Sequence, residues 1–326
     1  MALTLAALRR DAWVALCGRD VLSIRDLTSD ELLSLIALGA DLKRDPGQCA
    51  GALSGRTIAM LFEKPSLRTR VSLDVASHQL GAHAIYLAPQ DVGLGQRESI
   101  HDVARTLEHM VDAIVLRTFA HDTVEQLAAA ASVPVINALS DFSHPCQALA
   151  DFLTMHENRG TWRGLRLAFV GDGNNVATSL IFGAALLGVR MTIATPPGYE
   201  PRPDVLRWAH QHEVEPGIAC RVTSVPEDAV EEADVIYTDT WISMGQEAEA
   251  EARRHAFAHF QVTAKLFERA RPDAIFMHCL PAHRGQEVAS DVIDGRRSRV
   301  FQQAANRLHT EKALLVALLG GGRWTS

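Results

Sequence analysis

The stretch FEKPSLRTR, residues 62 to 70, places three cations directly after the apolar run TIAMLF. The residues Leu67, Val71 and Val75 are spaced for one face of a helix, which puts residues 66–69 in its first turn. A helix start already carries about half a positive charge and unsatisfied N–H donors, so further cations cost stability unless an anion binds there. Backbone donors, hydroxyls and guanidinium groups together suit phosphate. We therefore predict an anion site, although a solvated basic face would give the same charge run.

Five further polar motifs end apolar runs. They are Arg117 after AIVL, HPCQ at 144–147, GDGNN at 171–175, DTWISMG at 239–245 and HCLP at 278–281. Ligands of open parallel sheets bind outside the carboxyl ends of the strands. Six motifs at six strand ends, divided between two sheets, predict one site in a cleft between two domains.

The pair His144 and Gln147 is suited to a small planar group. The two residues lie three apart at a predicted helix start, hence on one face. An imidazole and a carboxamide can bind a carbonyl oxygen and an NH2 group, as in a carbamoyl or urea-like ligand. Arg117 ends a buried strand, where an unpaired charge is costly, so either a ligand or a structural ion pair is expected there.

The second half of the chain offers groups that suit an amino acid. GDGNN lacks the third glycine of a dinucleotide fingerprint, which argues against a nucleotide and leaves Asn174 and Asn175 as amide ligands. The carboxylate of Asp239 suits a cation, and the N–H groups of the loop at 243–245 suit an anion. Together they match the ammonium and the carboxylate of an amino acid. On spacing alone, Asp239 would also fit a helix cap.

Cys279 stands at the end of an apolar strand, where Pro281 stops the pairing. A buried thiol is commonly inert, yet the carbonyls of Cys279 and Leu280 are left to accept from an NH2 group. No Ser-His-Asp or Cys-His-Asn order is present, so nucleophilic hydrolysis is not favoured.

The elements that must position these motifs are predicted from apolar runs, which alternate with helical patterns along the chain. The strands are expected at 57–62, 84–87, 113–117, 134–137, 165–170, 191–195, 221–224, 235–238 and 274–278. This pattern predicts an α/β protein with two doubly wound domains, each with a central parallel sheet flanked by helices. We place one domain at 1–145, completed by a C-terminal helix at about 304–320, and the other at 146–303. A connecting helix is expected from residue 144 to near Gly160.

Composition narrows the class of protein. A net charge of −7 argues against nucleic acid as a partner. No apolar run approaches the ~18 residues of a membrane helix. Five scattered cysteines indicate neither disulfides nor a zinc site. Arg9 and Arg10 follow the apolar start, so we expect a first helix and a cytoplasmic protein, not a leader peptide.

Taken in series, SLRTR, HPCQALAD, GDGNN, DTWISMGQE, HCLPAHRG and NRLHTEKALL resemble the ornithine carbamoyltransferases over about residues 60 to 318. The resemblance implies transfer of a carbamoyl group from carbamoyl phosphate to the side-chain amine of L-ornithine, giving L-citrulline in arginine metabolism. It implies a carbamoyl-phosphate-binding domain and an ornithine-binding domain. It also implies no cofactor or metal, and a homotrimer or a multiple of trimers.

The resemblance also assigns residues. Those carried over to carbamoyl phosphate are Ser66, Leu67 (backbone), Arg68, Thr69, Arg117, His144, Pro145, Cys146, Gln147, Cys279, Leu280 and Arg307. Those carried over to ornithine are Asn175, Asp239, Ser243 and Met244. Arg117, His144, Asp239 and Cys279 are expected to take part in catalysis, while Lys64 and Arg70 are expected to be structural or to set the local field.

Three positions depart from the pattern. Leu67 stands where many members have Thr, and Ala305 stands where Glu is frequent, which leaves Arg307 one fewer orienting partner. Gly93 replaces a Gln or His that reaches the neighbouring subunit, and Gln90 or Gln96 is a candidate substitute. Two alternatives stay open: a carbamoyltransferase for putrescine, N-acetylornithine or aspartate, and a non-catalytic ligand-binding relative.

Overall fold

A computed structural model of the chain describes residues 12–214, 220–243 and 245–320. The described residues form two compact units, one running up to Leu153 and resuming at Ala305, the other comprising Thr154–Ala304. These divisions lie at 153/154 and 304/305, compared with the proposed 145/146 and 303/304. Each falls inside a helix, so no glycine- or proline-rich linker marks it in the sequence.

The first unit is built on a four-stranded parallel sheet with the order β2-β1-β3-β4. Its strands are β1 (Thr57–Phe62), β2 (His83–Leu87), β3 (Ala113–Arg117) and β4 (Val135–Leu139). Its helices are α1 (Ser29–Arg44), α2 (Leu67–Gln79), α3 (Pro89–Val92), α4 (Ile100–Leu107), α5 (His121–Ala130) and the first part of α6 (Pro145–Arg159). Apolar residues of β1, β3, α4 and α5 form one buried cluster beneath the sheet.

The second unit is built on a five-stranded parallel sheet with the order β7-β6-β5-β8-β9. Its strands are β5 (Arg166–Val170), β6 (Arg190–Ala194), β7 (Cys220–Thr223), β8 (Val235–Thr238) and β9 (Ile275–His278). Its helices are α7 (Asn175–Leu187), α8 (Pro203–His212), α9 (Pro226–Val230), α10 (Ala250–Ala256), α11 (Ala264–Phe267) and α12 (Ser290–Ile293). Helix α13 (Val300–Leu319) begins in this unit and returns the chain to the first.

The expected architecture is confirmed within the described residues. All nine strands lie where the apolar runs predicted them, with ends that differ by at most two residues, and both sheets are parallel. The connecting helix α6 ends at Arg159, next to the predicted Gly160. Helix α13 starts at Val300, before the predicted start at about 304, and three short 3-10 helices lie at Ala12–Leu16, Ile24–Asp26 and Glu247–Glu249. The predicted first helix falls largely on residues 1–11, outside the described residues.

Helix α2 is confirmed, but the face that revealed it is exposed. Leu67, Val71 and Val75 are 74%, 51% and 36% exposed, while the helix buries Thr69, Leu73, Ala76 and Ser77 against its own unit. The apolar spacing therefore marks a face that the single chain leaves uncovered. Among the helices of the described segments, none combines the length and the apolar character that crossing a bilayer requires.

Candidate active site

The start of α2 has the geometry of an anion-binding helix terminus. Ser66 is the N-cap in extended conformation, and its hydroxyl oxygen accepts from the backbone N–H of Thr69 at 3.2 Å. The first turn contains no acidic residue, so Arg68 adds positive charge to the positive end of the helix. Because the side chain of Leu67 points into solvent, this residue can offer only its backbone N–H.

The two flanking cations rest on aromatic rings. Nζ of buried Lys64 lies 4.3 Å from the centre of the Phe119 ring. The guanidinium carbon of Arg70 lies 3.8 Å from the centre of the Tyr86 ring. Cations held in this way stabilise the loop and add to the local field, which fits the structural role expected for both.

His144 directly precedes α6 and follows β4 along the chain. Its carbonyl accepts from the backbone N–H groups of Gln147 and Ala148 at 3.1 and 3.2 Å. The preceding turn is held by the buried amide of Asn137, whose Nδ2 donates to Ser140 Oγ and to the carbonyl of Ser143. This supporting role was not predicted, because Asn137 stands at the end of the predicted strand 134–137, whereas in the structure it lies in the middle of β4.

Burial holds the pKa of His144 well below its ordinary value, and the nearby cations Arg307, Arg117 and Arg68 lower it further. The imidazole is therefore neutral at physiological pH and can donate or accept a hydrogen bond without carrying charge. These three arginines all belong to the first unit, as His144 does. Arg117 is buried at the end of β3, where the pairing with β4 is irregular.

Arg307 of α13 joins the carbamoyl-side residues into one network. Its Nη1 donates to Oε1 of Gln147 at 3.0 Å, and its Nη2 donates to Oγ1 of Thr69 at 3.1 Å. Nε2 of Gln147 donates to Oδ1 of Asp151 at 2.8 Å. The structure therefore brings Thr69, Gln147 and Arg307 together, as the assignment requires.

Pro145 and Cys146 are held differently from their neighbours. Pro145 begins α6 and has no N–H to donate. The thiol of Cys146 points to the carbonyl of Asn137, 3.7 Å away, and burial raises its pKa to about 12. Only the main chain of these two residues is left to meet a ligand.

In the second unit, GDGNN forms a close turn into α7. A Cβ at Gly173 would lie 2.3 Å from the backbone nitrogen of Pro201, so this position accepts only glycine. Oδ1 of Asn174 caps α7 by accepting from the N–H groups of Val176 and Ala177 at 3.0 and 3.1 Å. Asn174 is thus a structural residue, and Asn175 is the first residue of α7.

Asp239 lies at the end of β8 as a shared acceptor. Its Oδ2 accepts from Nδ2 of Asn174 at 2.8 Å. Its Oδ1 accepts from the backbone N–H of Thr240 at 2.8 Å and from the thiol of Cys279 at 2.9 Å. The helix-cap hypothesis for Asp239 is therefore wrong, since the acidic stretch that follows begins with its own 3-10 turn at Glu247–Glu249.

The strand end that carries Cys279 is fixed by a histidine. Nδ1 of His278 accepts from the backbone N–H of Leu280 at 2.8 Å, and its Nε2 lies 3.2 Å from Oε1 of Glu287. Nδ1 is an acceptor, so the ring proton is on Nε2 and donates to the carboxylate. This arrangement supports the left-handed φ of 58° at Leu280, a conformation rare for a residue with a side chain.

Asp239, His278 and Cys279 also form a group that could hold a metal ion, with potential ligand atoms within 4.8 Å of one another. Each of these three side chains, however, already has a hydrogen-bond partner within the protein. Both ring nitrogens of His278 are engaged, by Leu280 and by Glu287.

The loop after β8 is anchored by a buried arginine. Nη1 of Arg253 donates to Oδ2 of Asp172 at 2.8 Å and to the carbonyl of Trp241 at 3.1 Å, and its Nε donates to Glu249 at 3.0 Å. Burial raises the pKa of Asp172, an effect that Arg253 opposes. Ser243 lies in a turn of this loop, where its N–H donates to Gln246 Oε1 at 3.0 Å. Met244 lies outside the described residues.

Gly93 has a steric reason to be glycine. It ends α3 with a φ of 63°, and a Cβ would lie 2.8 Å from the Cβ of Arg97. A Gln or His at this position would therefore require the loop to move. Gln90 and Gln96 in the same loop are exposed.

The structure thus collects Thr69, Gln147, Arg307, His144 and Arg117 in the first unit. In the second unit it collects Asp239, Cys279 and Asn174. The supporting residues were missed by sequence reasoning: Asp151, Asp172, Arg253, Glu287 and Glu311. The sequence around each of them shows no sign of this role, and only the buried partner distinguishes it.

Comparison with known proteins agrees with this division. Residues 19–157 match the carbamoyl-P binding domain of aspartate/ornithine carbamoyltransferase, and residues 163–318 match the Asp/Orn binding domain of that family. The ornithine carbamoyltransferase of Thermococcus kodakarensis is 52% identical over 310 residues, or 94% of this chain and 98% of that protein.

Solved structures of ornithine carbamoyltransferases are similar to this chain over more than 90% of its length. The ornithine carbamoyltransferase from Pyrococcus furiosus has a TM-score of 0.90 at 52% identity, covering 94% of this chain and 98% of that one. The enzyme from Thermus thermophilus has a TM-score of 0.84 at 47% identity, covering 92% and 98%. With both family domains matched in order and relatives of this identity over nearly the whole chain, the protein belongs to the aspartate/ornithine carbamoyltransferase family.

Proposed function

We propose that this chain is a transferase that moves the carbamoyl group of carbamoyl phosphate to the side-chain amine of L-ornithine, giving L-citrulline and phosphate. The observation that carries the choice of acceptor is the carboxylate of Asp239, oriented by Asn174 and by the thiol of Cys279. A buried carboxylate at a strand end suits the ammonium of an amino acid. Membership of the family and the names of the relatives support the same acceptor.

The phosphate end of carbamoyl phosphate is assigned to the start of α2. Ser66, the backbone of Leu67, Arg68 and Thr69 supply hydroxyl, N–H and guanidinium donors at the positive end of the helix. Arg117, at the end of β3, is assigned to both the phosphate and the carbonyl oxygen. These cations stabilise the charge that builds up on the departing phosphate.

The carbamoyl end is assigned to the network around α6 and α13. Neutral His144 donates to the carbonyl oxygen, while Gln147 and Arg307 fix the plane of the group. The main chain at Pro145 and Cys146 borders this subsite. The carbonyl oxygens of Cys279 and Leu280 are assigned to the NH2 of the carbamoyl group. Carbamoyl phosphate is already activated, so positioning alone can supply effective molarities of order 10^5 to 10^8 M.

Ornithine is assigned to the second unit. Asp239 binds its α-ammonium, and Asn175, Ser243 and Met244 border its α-carboxylate. The side-chain amine attacks as the neutral form, since an ammonium has no lone pair. The new C–N bond forms as the bond from carbon to the phosphate oxygen breaks, and the proton that the attacking nitrogen loses leaves with the phosphate. Cys279 lies beside Asp239 to orient the attacking side chain.

The acceptor is tested by measuring product formation with carbamoyl phosphate and four amines: ornithine, putrescine, N-acetylornithine and aspartate. N-acetylornithine leaves Asp239 without its ammonium, and putrescine leaves Asn175 and Ser243 without a carboxylate. Each mismatch is expected to cost about 1 to 3 kcal/mol. Faster carbamoylation of any other amine would overturn the assignment, and phosphate release with none of them would indicate a non-catalytic relative.

We also infer a homotrimer or a multiple of trimers. The support is the exposed apolar face of α2, formed by Leu67, Val71 and Val75 beside the half-exposed Ile85 on the edge strand β2. Parallel sheets and their helices are normally covered, so this face suits a second copy of the chain.

Light scattering tests the assembly. The wild type is expected to have a mass that is a multiple of three chains, and Val71→Lys is expected to lower it. Met110→Lys changes an exposed apolar residue elsewhere on the surface and is the control. A monomeric wild type, or an unchanged mass for Val71→Lys, contradicts the inference.

The proposal includes a cytoplasmic enzyme of arginine biosynthesis. All five cysteines lie in the described residues and none of them forms a disulfide, which suits a reducing compartment. Cell fractionation with an activity assay tests the location, and recovery of the enzyme from a secreted or membrane fraction would contradict it.

A further inference from the structure

Arg307 is held by a carboxylate that no role in the reaction accounts for. Oε1 of Glu311 accepts from Nε of Arg307 at 2.9 Å and from its Nη2 at 2.5 Å. Both residues are 1% exposed. The carboxylate oxygen therefore contacts the edge of the guanidinium group that Nε and Nη2 form. Nη1 donates to Gln147, and Nη2 also donates to Thr69.

We propose that Glu311 is a positioning residue: it fixes the guanidinium plane of Arg307 and thereby orients Gln147 toward the carbamoyl end of the ligand. The inference rests on the proposed function, because it concerns the same carbamoyl-phosphate subsite. Glu311 acts through Arg307 and does not itself touch the substrate.

The order of Arg307 and Glu311 along α13 indicates that their ion pair does more than stabilise the helix. Arg307 and Glu311 are four residues apart on α13, with the cation nearer the N-terminus. This order opposes the helix dipole and contributes less than the reverse order. A buried ion pair is also weak evidence for stability, since apolar residues of similar size often stabilise a core as well or better.

The network fixes the amide of Gln147 from both sides. Its Oε1 accepts from Arg307, and its Nε2 donates to buried Asp151. The two partners therefore determine which end of the amide faces which neighbour. If Arg307 turned away, Gln147 would lose one of the two contacts that set its orientation.

The contact also resolves the departure at position 305. Ala305 is exposed, and a residue two positions before Arg307 does not share its helix face. Glu311, one turn further along, supplies the orienting carboxylate from the buried face. In this chain the carboxylate that orients Arg307 is therefore at position 311.

A double-mutant cycle tests the proposal. Glu311→Leu is expected to lower kcat/KM for carbamoyl phosphate by roughly 10- to 100-fold, as for loss of a hydrogen bond between charged groups. In the Arg307→Met background, the same change is expected to have less than about a 2-fold further effect, because Glu311 acts only through Arg307. Glu311→Gln, which keeps an acceptor oxygen, is expected to recover part of the loss. Asp74→Asn alters an exposed carboxylate of α2 and is the control.

Ligand binding separates this inference from the proposed function. By calorimetry, Glu311→Leu is expected to weaken phosphonoacetamide, a stable mimic of carbamoyl phosphate, by about 10-fold or more, and inorganic phosphate by less than about 3-fold. This measurement does not depend on which amine is carbamoylated. Equal weakening of both ligands, an undiminished effect in the Arg307→Met background, or a fall in melting temperature with unchanged binding would overturn the positioning role.

Discussion

Arg253 is predicted to control the use of ornithine from outside the substrate-binding residues. Its buried guanidinium group joins the loop after β8 to Asp172 of the GDGNN turn and to the carbonyl of Trp241. Ser243, which is assigned to ornithine, lies in this loop. Loosening the loop means that ornithine must order it on binding, which reduces the apparent affinity.

The substitution Arg253→Lys keeps the charge beside Asp172 but cannot reach all three partners at once. The lost contact to Glu249 counts for little, since that carboxylate is 62% exposed. Loss of the buried contact to the carbonyl of Trp241 is worth about 2 kcal/mol, or roughly 30-fold in kcat/KM for ornithine. The constants for carbamoyl phosphate are expected to stay within about 2-fold, since that ligand is assigned to the other unit.

Steady-state kinetics with each substrate varied in turn checks this prediction. Glu249→Gln is the matched control, because it removes only the exposed partner, and we expect less than about a 5-fold effect. The reasoning is refuted if the ornithine constants of a folded Arg253→Lys enzyme are unchanged. It is also refuted if both substrates are affected equally, or if the control is as damaging as the arginine variant.

Three further predictions concern the site itself. Replacing Cys279 by Ala is expected to lower kcat and ornithine use by about 10-fold, with a smaller effect on phosphate binding; unchanged steady-state constants would contradict its role. Activity is expected to rise from pH 6 towards 8 as ornithine loses its proton, and a flat profile would argue against deprotonation as the controlling step. His144 has a pKa well below 6.5 in the folded state, so below pH 6.5 the unfolded chain binds a proton that the folded chain does not. Stability is therefore lost as the pH falls from 6.5 towards the folded pKa, by about 1.4 kcal/mol per pH unit. Urea unfolding of His144→Gln should show a shallower loss by that amount, and identical slopes would mean that His144 is protonated in the folded protein.

The strands and the motifs at their ends could be predicted because they depend on residues close in the sequence. Apolar runs of four to six residues separated by helical patterns already specify parallel sheets. The parallel sheet of the first unit then places Arg117 at its carboxyl edge, and the sheet of the second unit places Asp239 and Cys279 at its own. The helix at Leu67 followed from its spacing in the same way.

The sequence could not predict whether the apolar face of a helix is covered. Apolar spacing identifies such a face but not the element that packs against it. The exposed face of α2 is the example, since Leu67, Val71 and Val75 predicted the helix yet point away from its own unit. The divisions between the two units lie inside α6 and α13, where no linker composition marks them.

The sequence by itself determined which groups the site contains, and the tertiary structure decided which of them orient one another. Arg307 meets Gln147 across 160 positions and Thr69 across 238. Asp239 likewise meets Asn174 across 65 positions. Such pairs depend on how the sheets and helices pack, and no local spacing records them. Even Glu311, only four residues from Arg307, becomes a positioning residue because packing buries both charges, so that each must be satisfied by the other.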